Sequence, residues 1–117
     1  MILIVDDVPE NLRLLSATLT QAGYEVRSAI SGSVALMSAA VEPPDLILLD
    51  ITMPHIDGIE CIEHLIAIDP DVMILVVSAL NDKATGMEAL EKGAMGFINK
   101  PFTQTDIIQA LDALVED

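Results

Sequence analysis

At 117 residues the chain supports one domain with a real core and no second one, and a composition 52% hydrophobic but only 3% aromatic makes that core aliphatic. Five Lys or Arg against 19 Asp or Glu leave a net charge of −14, a field that repels nucleic-acid phosphates and anionic lipid and attracts cations, which argues against direct nucleic-acid or membrane binding and for a divalent metal. No apolar run approaches the ~18 residues of a membrane span, no basic n-region or cleavage site follows Met1, and one cysteine, Cys61, has no internal disulfide partner; a cytoplasmic domain is predicted.

In chain order, strand-like runs at Ile2 to Val5, Glu25 to Ala29, Leu46 to Leu49, Val72 to Val77 and Ala94 to Ile98 alternate with helical patterns. The runs ILIV, LILL and VMILVV are apolar without alternation, as in central strands covered on both faces. The first helix is predicted from Pro9 to about Ala22, with Leu12, Leu15 and Leu19 on one face and Gly23 beyond its end. The second follows Ser31-Gly32, the third Asp57-Gly58, and the fourth spans roughly Asn81 to Lys92 before Gly93. The last begins at Thr103, where Thr103 and Asp106 form a capping-box pattern, and turns Ile107, Leu111 and Leu114 inward.

Five β-α units with short connections imply a doubly wound parallel sheet between helices, an α/β fold whose ligands bind beyond the carboxyl ends of the strands. Those ends carry Asp6-Asp7, Asp50, Ser78 and Asn99-Lys100-Pro101. Three carboxylates held together repel unless a cation offsets them, and an oxygen-rich, hydrated site suits Mg²⁺, whose usual partner is a phosphate. With the Lys100 ammonium and the Ser78 hydroxyl added, the set matches phosphoryl transfer: an anionic nucleophile, a metal and fixed donors around the equatorial oxygens.

The segments ILIVDD at 2–7, DLILLDITMPHIDGIE at 45–60, VVSA at 76–79 and FINKPF at 97–102 together resemble the receiver domains of two-component response regulators, from end to end. The resemblance implies a flavodoxin-like five-stranded sheet in the order 2-1-3-4-5 with five helices. It implies Asp50 as phosphoacceptor, Asp7 as direct Mg²⁺ ligand, Asp6 as a ligand acting mainly through water, and the Thr52 carbonyl as a further ligand. Ser78 matches the switch hydroxyl, Ala79 the small residue beside it and Lys100 the site lysine, while Pro54 and Gly58 match the loop after Asp50. A cis bond between Lys100 and Pro101 is also implied. The switch aromatic, often Tyr, is Phe97 here, and Thr52 and Leu80 stand at the two positions that tune hydrolysis.

The expected donor is a histidine kinase or a histidine phosphotransfer domain, and the expected recipient a downstream output domain or protein, with a homodimer formed on phosphorylation as one form of output. Leu14, roughly 130° from the first helix's apolar stripe at about 100° per residue, suits docking of the donor. Ile108 and Val115 on the last helix are candidates for the switching face made by the fourth helix, fifth strand and fifth helix. Gly86 inside the fourth helix costs about 1 kcal/mol relative to Ala and would leave that helix easy to remodel.

Blander assignments suit other residues. His55 and His64 are read as surface histidines, Cys61 as a buried apolar residue, and the methionines at 37, 53, 73, 87 and 95 as core fillers. Two other functions compete. A hydrolase of the haloacid dehalogenase type also places an aspartate at a strand end, but wants a second one two residues on, where Thr52 stands, and a cap domain. A pseudo-receiver would have lost Asp50, an acidic pair member or Lys100, and none is lost. A start at the first strand and a stop after the fifth helix predict a trimmed domain or a single-domain regulator.

Overall fold

Each strand-like run forms a strand, and counted in chain order the five lie parallel in the order 2-1-3-4-5. The computed structural model describes residues 1–52, 58–79 and 83–115, without the side chains of Lys83 and Val115. Within it the strands are β1 Ile2–Val5, β2 Val26–Ala29, β3 Leu46–Asp50, β4 Met73–Ser78 and β5 Gly96–Asn99, and the helices are α1 Pro9–Gln21, α2 Gly32–Val41, α3 Gly58–Ile68, α4 Lys83–Glu91 and α5 Gln104–Val115. Three strands run one residue further than their hydrophobic runs. Asp50 pairs in register with Val77, and Ser78 with Asn99, because backbone pairing does not depend on side-chain polarity.

The central strands are buried on both faces, so alternate residues feed two separate cores. Leu3, Val5, Ile47, Leu49, Ile74 and Val76 pack with α2, α3 and α4 through Ala35, Ala39, Cys61, Ile62, Leu65 and Ala89. Ile2, Ile4, Leu46, Leu48, Leu75 and Val77 pack with α1 and α5 through Leu12, Leu15, Leu19, Ile107 and Leu111. Each fully buried Leu or Ile contributes about 1.5–3 kcal/mol, which is how a sheet without Trp holds together.

The helix ends follow their local chemistry. Ser31 accepts the Val34 N–H at 3.2 Å as the α2 N-cap, worth about 1 kcal/mol. Thr103 and Asp106 exchange hydrogen bonds at 2.9 and 3.1 Å, the predicted capping box. Past α1 and α4 the chain turns at Gly23 and Gly93, both at positive φ, where L side chains are strained.

The methionine reading needs correction. Met73 is half-buried, but Met37, Met87 and Met95 are exposed; each lies on the outer surface of its segment, and the aliphatic cores are filled without them. Met53 lies outside the described residues. Gly86 also has a packing role that its helix propensity did not suggest. An added Cβ would stand 2.7 Å from the Phe97 ring, so the missing side chain makes room for that ring.

Candidate functional site

Strand ends β1, β3, β4 and β5 meet at one mouth, fastened by backbone bonds. The Ile51 N–H donates to the Val77 carbonyl and the Lys100 N–H to the Ser78 carbonyl, both at 2.9 Å. Asp50, 3% exposed, closes β3. Its Oδ1 accepts from both the backbone N–H and the hydroxyl of Thr52. Its Oδ2 accepts from Lys100 Nζ at 2.9 Å, and Lys100 also reaches the Thr52 hydroxyl at 3.2 Å. The Lys100-Pro101 peptide is cis, as the resemblance implied.

Asp6, also 3% exposed, lies beside Asp50, whereas Asp7 is exposed. One Asp6 oxygen accepts the Val8 N–H at 2.9 Å and the other the Asn11 side-chain amide at 3.2 Å. Asp6 thus organises the turn into α1, whose N-cap, Val8, supplies no side-chain bond of its own.

The two neighbouring carboxyls are driven apart. Burial and the adjacent Asp50 raise the Asp6 pKa above its ordinary value, against the hydrogen bonds from Val8 and Asn11. Burial also acts to raise Asp50, but hydrogen bonds from Lys100 and Thr52 outweigh it and hold that carboxyl low. The hydrogen bonds that hold Asp50 low favour its ionised form, whereas burial and the neighbouring Asp50 make Asp6 the carboxyl that an added cation would relieve most.

That donor set fits a hard divalent cation. The two adjacent buried carboxylates, Asp6 and Asp50, offer oxygen ligands only, and the exposed Asp7 follows Asp6 in the chain, a hard-donor set of the kind Mg²⁺ takes. Among the described residues no three His, Cys, Asp or Glu side chains are grouped closely enough to hold a metal ion between them.

The other singled-out residues are more dispersed. Phe97 is half-buried against the α2–α3–α4 core and touches the Gly86 position. Leu14 is 58% exposed on α1, off its buried stripe. Ile108 is half-buried in the α1–α5 core and lines a groove with Thr18 and Gln21 of α1 and with Ala22 just beyond it, so its packing directs it toward α1. The Val115 side chain, His55, Pro54 and Leu80 lie outside the described residues. His64 is exposed, 3.4 Å from Glu60, and burial pushes the Cys61 thiol up to about 11, which leaves it unreactive.

Two contributing residues were given no role from the sequence: Asn11, which bonds Asp6, and Asn99, whose amide nitrogen is 2.8 Å from the Ser78 hydroxyl. Asn99 had a visible signal, its place immediately before Lys100-Pro101 at a strand end.

An acidic strand-end site on a 2-1-3-4-5 parallel sheet places the chain in the doubly wound α/β class, whose ligands bind beyond the carboxyl ends of the strands. Residues 2–112 match the family model of the response regulator receiver domain; the chain belongs to this family, and so to two-component signalling. It is 39% identical to the chemotaxis protein CheY of Thermotoga maritima over 112 residues, covering 95% of this chain and 93% of that protein. It is 38% identical to the transcriptional regulatory protein PrrA of Mycobacterium tuberculosis, covering 97% of this chain but 49% of PrrA, so it spans about half of that relative. Among solved structures, the receiver domain of NtrX from Brucella abortus superposes with a TM-score of 0.92 at 28% identity, covering 99% of this chain and 98% of that one.

Proposed function

We propose that Asp50 accepts a phosphoryl group from the phospho-histidine of a histidine kinase or histidine phosphotransfer domain, with Mg²⁺, and that the modified domain regulates an output domain or protein. One observation carries this reading: a buried, low-pKa Asp50 carboxylate with Lys100 on one oxygen and Thr52 on the other, beside Asp6. An Asp50 oxygen forms the new P–O bond as the donor's P–N bond breaks, and the electron pair returns to the imidazole nitrogen. Lys100 moves from the carboxylate to a phosphoryl oxygen, and Ser78 donates to another.

Asp7, Asp50 and the Thr52 carbonyl would hold the Mg²⁺, with Asp6 acting through water, and the ion would offset the charge of the carboxylates and of the incoming phosphoryl oxygens. Phe97 follows Ser78 and biases the surface of α4 and β5 between two states, on which partners or a second copy of the chain dock. Ile108 is left out of this surface because it packs toward α1. The exposed Leu14 remains the docking contact for the donor. Among the described residues no helix is long and apolar enough to cross a membrane; together with the buried, unbridged Cys61, this supports a cytoplasmic setting.

Incubation with acetyl phosphate and Mg²⁺, followed by intact-mass measurement, tests the reading. One phosphoryl adduct is expected on the wild type and none on Asp50→Asn. An adduct that persists on Asp50→Asn moves the acceptor to Asp6 or Asp7. Catalytic turnover of a small phosphate ester would replace the signalling reading with a hydrolase.

A further inference from the structure

Ser78 is fully buried at the end of β4, and its register partner on β5 is Asn99. The Asn99 side-chain nitrogen lies 2.8 Å from the Ser78 hydroxyl and 3.0 Å from the Ala79 carbonyl. A carbonyl oxygen can only accept, so the group facing Ala79 must be the NH₂, which fixes the orientation of the amide. That NH₂ has two protons and two acceptors. One proton goes to Ala79, the other to the Ser78 oxygen. Ser78 is thereby held as an acceptor toward Asn99, leaving its own proton to be donated elsewhere.

The next residue reinforces the clasp. The Lys100 N–H bonds the Ser78 carbonyl at 2.9 Å while the Lys100 ammonium bonds Asp50. Asn99, the last residue of β5, and Lys100 just after it therefore grip Ser78 at its side chain and its backbone. On the adjacent strand Asp50 pairs in register with Val77, the residue before Ser78.

We infer that Asn99 is a positioning residue for phosphoryl transfer: it holds the Ser78 hydroxyl so that the hydroxyl proton serves the phosphoryl group on Asp50. This rests on the phosphoacceptor reading above. Asn99 does not touch the reacting atoms; it acts through Ser78. A side chain at 99 that only accepts would reverse the effect, because Ser78 would turn its proton toward that residue.

The test is a double-mutant cycle read as the initial rate of phosphorylation by acetyl phosphate at saturating Mg²⁺. Asn99→Leu, which keeps the size and removes the donor, should slow the wild-type reaction about 5-fold and have no further effect on Ser78→Ala, since residues acting as one unit are not additive. Asn99→Asp should slow it more than Asn99→Leu, with most of the difference gone in the Ser78→Ala background. If Asn99→Leu does not fold, Asn99→Ala carries the same cycle. Equal slowing in both backgrounds, or a wild-type rate for the Asn99 variant, overturns the inference while leaving the phosphoacceptor reading intact. A wild-type protein that takes no phosphoryl group overturns that reading instead, and this inference with it.

Discussion

The ring of Phe97 on β5 packs onto the bare α-carbon of Gly86 on α4, close enough that an added methyl group would lie 2.7 Å from the ring. Gly86→Ala therefore sets helix propensity, a gain of about 1 kcal/mol, against overpacking, which costs about 1–3 kcal/mol. Net destabilisation is expected, with a displaced Phe97 ring, and Gly86→Ala combined with Phe97→Leu should recover most of the loss. Urea unfolding and the ring's proton shifts measure both. A simple stabilisation with an unmoved ring would mean that the contact is slack.

Asp6→Asn should stabilise the metal-free protein by about 1 kcal/mol, the usual scale for relieving an unfavourable charge, since the amide oxygen can still accept from Val8 while the repulsion of Asp50 is gone. It should also weaken the rise in Tm that millimolar Mg²⁺ gives the wild type. Thermal melts with and without Mg²⁺ check both outcomes; an unchanged metal response would remove Asp6 from the binding site.

The opposite shifts of the two carboxyls give opposite pH limbs. Asp50 titrates below 3.8 in the fold, so its stabilisation is present at neutral pH and is lost as pH falls from that value through the folded pKa. Asp6 titrates above 3.8, so the folded state binds its proton more tightly, and stability falls as pH rises from that value to the folded pKa. The advantage of Asp6→Asn over the wild type should therefore grow across this second window and then level off. Unfolding midpoints measured through the acid range would show it, and an advantage independent of pH would assign the effect to packing.

Lys100→Ala leaves the carboxylate of Asp50 buried without its cation. The lysine side chain is 34% exposed and the aspartate 4%, so after allowance for solvent the loss should be about 1–2 kcal/mol. Phosphorylation should persist at a reduced rate, but the response of Phe97 to beryllofluoride with Mg²⁺ should disappear. A variant whose Phe97 still responds normally would exclude Lys100 as the coupling group.

The runs ILIV, LILL and VMILVV were enough to place buried parallel strands, and alternation with helical patterns was enough to put Asp6, Asp50, Ser78 and Lys100 at one edge of the sheet. The order of the strands was not in the periodicity and came with the receiver-domain resemblance. Contacts that depend on register stayed hidden: nothing local says that Asn99 faces Ser78, or that the Phe97 ring needs a glycine at 86. Asp6 and Asp7 are identical letters, and only the turn into α1 makes the first a buried hydrogen-bond hub and the second a solvent-facing group. Ile108 was expected on the switching face but is half-buried against the core with α1, because a helical wheel does not show which neighbouring helix lies on either side.

Because the central strands bury both faces, the sheet acts as a bulkhead between two compartments. Phe97 belongs to the side holding α2, α3 and α4, whereas its neighbour Ile98 belongs to the side holding α1 and α5. A movement of the ring on phosphorylation would therefore press on one compartment only. The other, anchored by Leu19, Ile107 and Leu111, is left as an undisturbed frame of reference.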